Sequence, residues 1–401
     1  RSLRIEIRFR RPLINNEISI RKMLFSYLRY CTSNYKTNRE LSIAEAKIYD
    51  PIIETSSSLM GKLATASLTA SILNEQYTEE GMFEANIDFL LEFLFKPNFN
   101  DGKCDEAILE VLREMAYNSL KRSKENKLRY AVHKSADNMG EDYINYRGNG
   151  YEEDIKNITP TSLYEYYLDV LKNDYIDIYV VGDFDTDKMK QIFNEKFIID
   201  NAYKDCRDVI YEHTNLKEQS TVIEEEELNQ SKLVMAYKVT NVTDYERTAV
   251  GLFYEYIMGG SMTSKLFSTV REKNSLCYNI GAFFAIPDNI FAIYAGIDSD
   301  KFEKAVELAT QEFESMKNGE FSDSEIETFR KQRLDVLLRS YDKASSIISD
   351  DYIISIVHDE DIDSYEYTKE LTMKVTKGDI VTFAKKIKLD TIFLLKGVTH
   401  E

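Results

Sequence analysis

The sequence predicts an α+β protein built of two homologous domains, each a mainly antiparallel sheet packed by several long helices. Stretches with the two-residue alternation of strands mix with stretches whose apolar residues recur every three or four positions. Their order is strands, long helices, then one helix and one strand. The pattern then occurs a second time. Ile158-Thr-Pro-Thr-Ser-Leu163 leads through a helix-like stretch to the apolar run Ile176-Asp-Ile-Tyr-Val-Val-Gly182, and Val375-Thr-Lys-Gly-Asp-Ile380 leads likewise to Thr391-Ile-Phe-Leu-Leu-Lys-Gly397. Thr159 and Thr376 are 217 positions apart, and Gly182 and Gly397 are 215 apart. Each copy reads as a threonine N-cap, an amphipathic helix, a buried strand and a terminating glycine. Upstream, Leu120-Lys-Arg-Ser123 and Leu338-Arg-Ser340 keep the same register.

Taken in order, Ser2 to Arg10 alternates as a strand, and Ile20, Met23, Leu24, Tyr27 and Leu28 make a helical stripe. Lys62 to Leu73, rich in Thr, Ser and Ala, reads as a strand, and Met82 to Phe95 as a helix. A polar, weakly periodic stretch between Ile198 and Glu218 divides the chain into domains 1–205 and 218–401. Beyond it, Thr221 to Leu228 and Lys232 to Val239 read as strands and Tyr245 to Met258 as a helix. In Phe302 to Met316, Phe302, Ala305, Val306, Ala309, Phe313 and Met316 form one apolar face.

The chain has 401 residues, 43% apolar and 30% charged, with 51 Lys and Arg against 69 Asp and Glu. The resulting charge of −18 repels phosphate backbones and anionic lipid, so nucleic acid and membrane surfaces are not expected partners. No apolar run has the length of a membrane span. Four cysteines, Cys31, Cys104, Cys206 and Cys277, lie far apart, as free thiols in a reducing compartment would. No basic, apolar leader follows Arg1, so a cytoplasmic location is expected, and the sequence leaves room for residues ahead of Arg1.

Familiar catalytic patterns are missing. Zinc hydrolases usually place two histidines one helical turn apart so that both reach one ion. Here His133, His213, His358 and His400 are scattered, and no two can share a helix face. There is no Gly-x-Ser-x-Gly elbow, no Walker loop and no Gly-x-Gly-x-x-Gly turn. Glu224 to Glu227 and Asp359 to Asp363 lack the interleaved glycine of a calcium loop and read as solvated charge.

One segment stands apart: Gly259-Gly-Ser-Met-Thr-Ser-Lys-Leu-Phe-Ser-Thr-Val-Arg271-Glu-Lys-Asn-Ser-Leu-Cys-Tyr278. A glycine pair runs into a short helix from about Thr263 that stops at Asn274, and a strand starts near Tyr278. Arg271 on the last turn and Tyr278 at the strand's start can face one space, where a guanidinium and a phenol could hold a peptide carbonyl. A helix-end arginine and a strand tyrosine are also ordinary structural residues.

This segment resembles the C-terminal-domain signature of the insulinase/pitrilysin-type zinc peptidases, which include the mitochondrial processing peptidase. Ser264-Lys-Leu-Phe267, Arg271-Glu-Lys273 and Leu276-Cys-Tyr278 match it, with Arg and Tyr seven apart, and Ile293-Tyr-Ala-Gly296 resembles the following strand. The resemblance implies two duplicated domains forming half of a clamshell. It also implies Arg271 and Tyr278 as catalytic and substrate-binding residues, with Gly259 and Gly260 beside the substrate, an extended peptide bound by strand addition. Active members carry His-x-x-Glu-His on an early helix of the first domain. The corresponding stretch, Ile18 to Thr32, has no histidine and no interior glutamate, and Glu110 and Glu114 on a later helix lack partner ligands. The expectation is therefore a subunit without metal or cofactor, paired in a heterodimer with a homologous chain that carries the zinc motif. The alternative is an inactive scaffold or leader-peptide carrier.

Overall fold

The computed structural model describes residues 1–140, 143–203, 205–214, 216–358 and 362–398. The chain forms two compact units. The first takes residues 1–122, 147–209 and 341–360, and the second takes 123–146, 210–340 and 361–401. These units are not the halves 1–205 and 218–401 as cut from the sequence, because each half gives a helical segment to the unit of the other.

Unit 1 holds β1 (Ser2–Pro12), β2 (Ile52–Met60), β3 (Leu63–Leu73) and β4 (Tyr175–Val181) in the order β2-β3-β1-β4, all antiparallel. The alternation of β1 divides its two faces. Leu3, Ile5, Ile7 and Phe9 enter a core with Met23, Leu24, Tyr27 and Leu28 of the Ile18–Tyr30 helix and the apolar side of the Met82–Phe95 helix. The alternate residues Arg4, Glu6, Arg8 and Arg10 lie on the opposite face. There the Arg8 guanidinium stacks 4.2 Å from the ring centre of Tyr352, on the Ala344–Val357 helix contributed by the C-terminal half. Strand β2 escaped the sequence reading because Thr55, Ser56, Ser57 and Ser58 blur its alternation. Strand β4, expected to be buried, is a half-buried edge.

Unit 2 holds β5 (Ser220–Glu227), β6 (Ser231–Val239), β7 (Cys277–Ala285), β8 (Ile290–Ile297) and β9 (Ile387–Val398) in the order β5-β9-β6-β8-β7, with β5 parallel to β9. Leu233, Met235 and Tyr237 face a core closed by the helices Phe302–Lys317 and Lys377–Lys386. Val234, Phe393 and Leu395 on the other face pack on Ala131 of the Lys127–Met139 helix, the segment the N-terminal half contributes.

The four strands β4-β1-β3-β2 follow the same path as β9-β6-β8-β7, so the repeat extends to topology. The shared details are local. Thr159 accepts from the Ser162 N–H and Thr376 from the Asp379 N–H, each in a reciprocal capping box. A Cβ on Gly182 would lie 2.4 Å from Leu3 Cδ2, and one on Gly397 2.4 Å from the Leu228 oxygen. At Gly397 the passing backbone of Leu228 thus requires glycine, whereas at Gly182 the nearest atom is a side-chain methyl.

Candidate active site

The site lies in unit 2, where a helix leads into the edge strand β7. The helical run Glu246–Val250, Gly251–Glu255 and Tyr256–Gly260 has π-type winding in its first and last segments. It ends beside β7: Gly259 is buried, and a Cβ there would lie 2.7 Å from the Ala282 nitrogen. Gly259 thus serves close packing, while Gly260 is exposed. The next helix ends with Phe267–Lys273. It is tied to the Phe302–Lys317 helix by Glu312, which accepts from Thr269 Oγ1 at 2.5 Å and pairs with Lys265 at 3.2 Å. Burial alone would raise the Glu312 carboxyl, but the Thr269 hydrogen bond and Lys265 hold it below the ordinary range. Glu312 escaped the sequence reading because its partners lie on another helix at no fixed spacing.

The turn between helix and strand sets the Arg271 and Tyr278 geometry. The Ser275 N–H donates to the Arg271 carbonyl at 3.0 Å and the Leu276 N–H to the Val270 carbonyl at 3.1 Å, with Ser275 at φ 51°. The reversal places the Arg271 guanidinium 4.5 Å from the Phe267 ring centre and 5.7 Å from that of Tyr278. Tyr278 is 78% exposed. Among the described residues no carboxylate pairs with Arg271, so its donors and the Tyr278 phenol are left to solvent or ligand. For Cys277, between them in sequence, burial pushes the thiol up to about 11 despite the opposing charge of Arg271, which disfavours the thiolate.

The edge of β7 is open over only part of its length. Near its end the Phe284 N–H donates to Glu255 Oε2 at 3.0 Å, and Gly259 closes on Ala282. Burial raises the Glu255 carboxyl, and the Phe284 hydrogen bond opposes the shift. Only Tyr278 and Asn279 in β7 are exposed. Strand addition here is limited to the strand's start, directly beside Arg271.

A family model described as the peptidase M16 inactive domain matches residues 157–333. The Bacillus subtilis protein named probable inactive metalloprotease YmfF is 26% identical over 398 residues, 96% of this chain and 91% of that relative. YmxG of the same organism, an uncharacterized zinc protease, is 24% identical over 267 residues, covering 66% of this chain and 63% of its own length. The chain is thus similar to M16 peptidases and to inactive and uncharacterized zinc proteases, most directly over residues 157–333. In fold, the chain is similar to a conserved protein of Enterococcus faecalis V583, with all of this chain and 94% of that one matched at a TM-score of 0.92 and 24% identity.

The zinc of active M16 peptidases does not fit the described residues of this chain. The Ile18–Tyr30 helix buries Met23, Leu24, Tyr27 and Leu28, and its charged interior residue is Arg21. Arg21 Nη2 donates to Asp174 at 2.6 Å, and Arg11 Nε donates to the other oxygen of Asp174 at 2.5 Å. Glu110 is paired with Arg113, and Glu114 is exposed. His213 Nε2 meets the Asp288 and Asn289 carbonyls at 2.9 and 3.2 Å. Glu224 and Glu225 pair with Lys134 and Lys396 at 3.2 and 2.8 Å, and Glu226 pairs with Lys127. Asp363 caps the Ser364–Lys374 helix, while Asp359, Glu360, Asp361 and His400 lie outside the described residues. Among the described residues no three His, Cys, Asp or Glu side chains converge. The chain is similar to zinc proteases without presenting a zinc site among its described residues.

Proposed function

We propose that this chain is the zinc-free subunit of a two-chain M16 peptidase, contributing Arg271 and Tyr278 to a peptide held by a homologous subunit that carries His-x-x-Glu-His. The observation supporting it is the Arg271–Tyr278 pair itself. A guanidinium and a phenol stand together at the open start of an edge strand, with the phenol exposed and no carboxylate paired with the guanidinium among the described residues. An extended peptide pairing at Tyr278 and Asn279 would bring a carbonyl within reach of both groups. Their hydrogen bonds orient the peptide and strengthen as negative charge develops on that oxygen. The free thiols of Cys31, Cys104, Cys206 and Cys277 support a reducing, cytoplasmic setting.

The test combines the purified chain with its zinc-bearing homologue. The chain alone should bind no stoichiometric zinc and cleave no peptide, and mixing should switch on hydrolysis. Tyr278→Phe and Arg271→Ala should each lower kcat/KM by about 10²-fold or more. Full activity of the homologue alone, or of the mixture with both variants, rejects the role. Peptide affinity without turnover in the mixture would instead identify a leader-peptide carrier.

A further inference from the structure

The start of β7 holds more than Tyr278. Asn279 in β7 pairs with Gly296 in β8, and Gly296 pairs with Lys232 in β6. Residues in register across a sheet project to one side, so these three form a row on a single face. In the next row Gly281, Tyr294 and Val234 are in register, and Val234 is buried against Ala131. The row at Asn279 is left open: Asn279 is exposed and Lys232 half-buried.

Between Asn279 and Cys277 the register slips by one residue, which makes Tyr278 the extra residue of a β-bulge. Cys277 packs toward the core in the place that strict alternation would give Tyr278. The bulge thus exposes Tyr278 beside Arg271 and returns Asn279 to the row.

Gly296 is the floor of the row. A Cβ there would lie 2.5 Å from Gln230 Oε1 and 2.6 Å from Asn279 Oδ1, so both amides lean over it. Lys232 Nζ donates to the same Gln230 oxygen at 2.7 Å. Burial lowers the Lys232 ammonium, and among the described residues no carboxylate pairs with it. Arg271 likewise has none, in a chain whose net charge is −18. An ammonium has three donors, of which Gln230 takes one. The remaining donors, with two amide groups beside them, suit an incoming carboxylate.

We infer that Lys232, with Gln230 and Asn279, forms a subsite for a carboxylate of the bound peptide, supplied by an acidic side chain or by the C-terminus. The inference rests on the peptide-binding role proposed for Arg271 and Tyr278. Every second side chain of a strand added at Tyr278 and Asn279 projects over the face of the row. Two strand spacings, roughly 10 Å, separate that strand from Gly296. A long acidic side chain spans this gap from one end and the Lys232 stem from the other, so the row selects the charge flanking the carbonyl that Arg271 holds.

Fluorescence anisotropy with the chain alone tests it, using three labelled peptides of one extended sequence. One has an internal Glu and an amidated C-terminus, the second has Gln in its place, and the third is the Gln peptide with a free C-terminus. The Glu peptide or the free-carboxylate peptide should bind about tenfold or more tighter than the amidated Gln peptide, and the one that does so names the source of the carboxylate. Lys232→Met should abolish the difference, as should Gly296→Ala, whose added Cβ displaces both amides. Lys232→Arg should retain it, and Arg271→Ala should weaken all three peptides alike. Absence of binding, equal binding of the three peptides, or a preference that survives Lys232→Met overturns the subsite. The two-chain assay separates this from the subunit role. Hydrolysis without a carboxylate preference rejects the subsite alone, and a Lys232-dependent preference in a mixture that cleaves nothing supports the subsite and rejects the subunit role.

Discussion

Arg113 and Arg330, 217 positions apart, perform the same task in the two units. Arg113 donates to the Ile155 and Ile158 carbonyls at 3.3 and 2.5 Å, just before the N-cap Thr159. Arg330 donates to the Met373 and Val375 carbonyls at 3.0 and 2.7 Å and also to Thr372, just before the N-cap Thr376. Glu110 and Glu327, also 217 apart, orient these arginines from one turn away. Each arginine satisfies carbonyls where one helix ends and the next begins. Arg330→Met should cost ~2–4 kcal/mol in urea denaturation and Arg113→Met somewhat less, since Arg330 serves three carbonyls and Arg113 two. Equal, negligible losses would remove this linking role.

Asp174 is wholly buried between Arg11 and Arg21. Asp174→Asn removes the one carboxylate shared by both guanidinium groups and should destabilise by ~3–5 kcal/mol. A denaturation midpoint close to that of the parent would show that other groups compensate.

Tyr237 and Tyr254 are buried in the unit 2 core, and their hydroxyls find no partner among the described residues. Burial raises both phenols well above the ordinary tyrosine range. Tyr237→Phe and Tyr254→Phe should leave stability unchanged or raise it by up to ~1 kcal/mol, because an unmet hydroxyl is removed. A loss above that amount in calorimetry would reveal a hydrogen bond at these positions.

Burial raises the Asp288 carboxyl to about 6, against a smaller opposing effect of His213. The folded protein then binds a proton that the unfolded chain releases near pH 4, so this group costs stability as pH rises from about 4 to 6. Asp288→Asn should raise Tm at pH 7 and have little effect below pH 4. The opposite pH trend would mean that Asp288 is stabilised as the anion.

Arg271→Ala and Tyr278→Phe should each change unfolding free energy by less than ~0.5 kcal/mol, because Tyr278 is exposed and Arg271 has no ion pair among the described residues. Coupled to loss of activity in the two-chain assay, unchanged stability separates a role in substrate handling from one in folding.

Much of the fold was legible because its signals are local. The helix Met82–Phe95 and the caps at Thr159 and Thr376 come from periodicity and from side chains bonding their own backbone three residues on. At the site, the seven-residue spacing of Arg271 and Tyr278 could be read because one turn connects them. Glu255 and Glu312 could not be read, since each meets its partners across elements with no regular separation in sequence.

The sequence by itself determined the duplicated α+β plan, the absence of a zinc motif from the Ile18–Tyr30 helix and the seven-residue spacing of Arg271 and Tyr278, all matters of pattern, residue type and short spacing. Only the tertiary structure decided that the Ala344–Val357 helix covers the arginine face of β1, that the Lys127–Met139 helix covers the apolar face of β6 and β9, and that β7 is open at Tyr278 but closed at Phe284. These depend on which buried face or unpaired backbone group finds a partner far along the chain, and periodicity within a segment shows that a face needs covering without naming the segment that covers it.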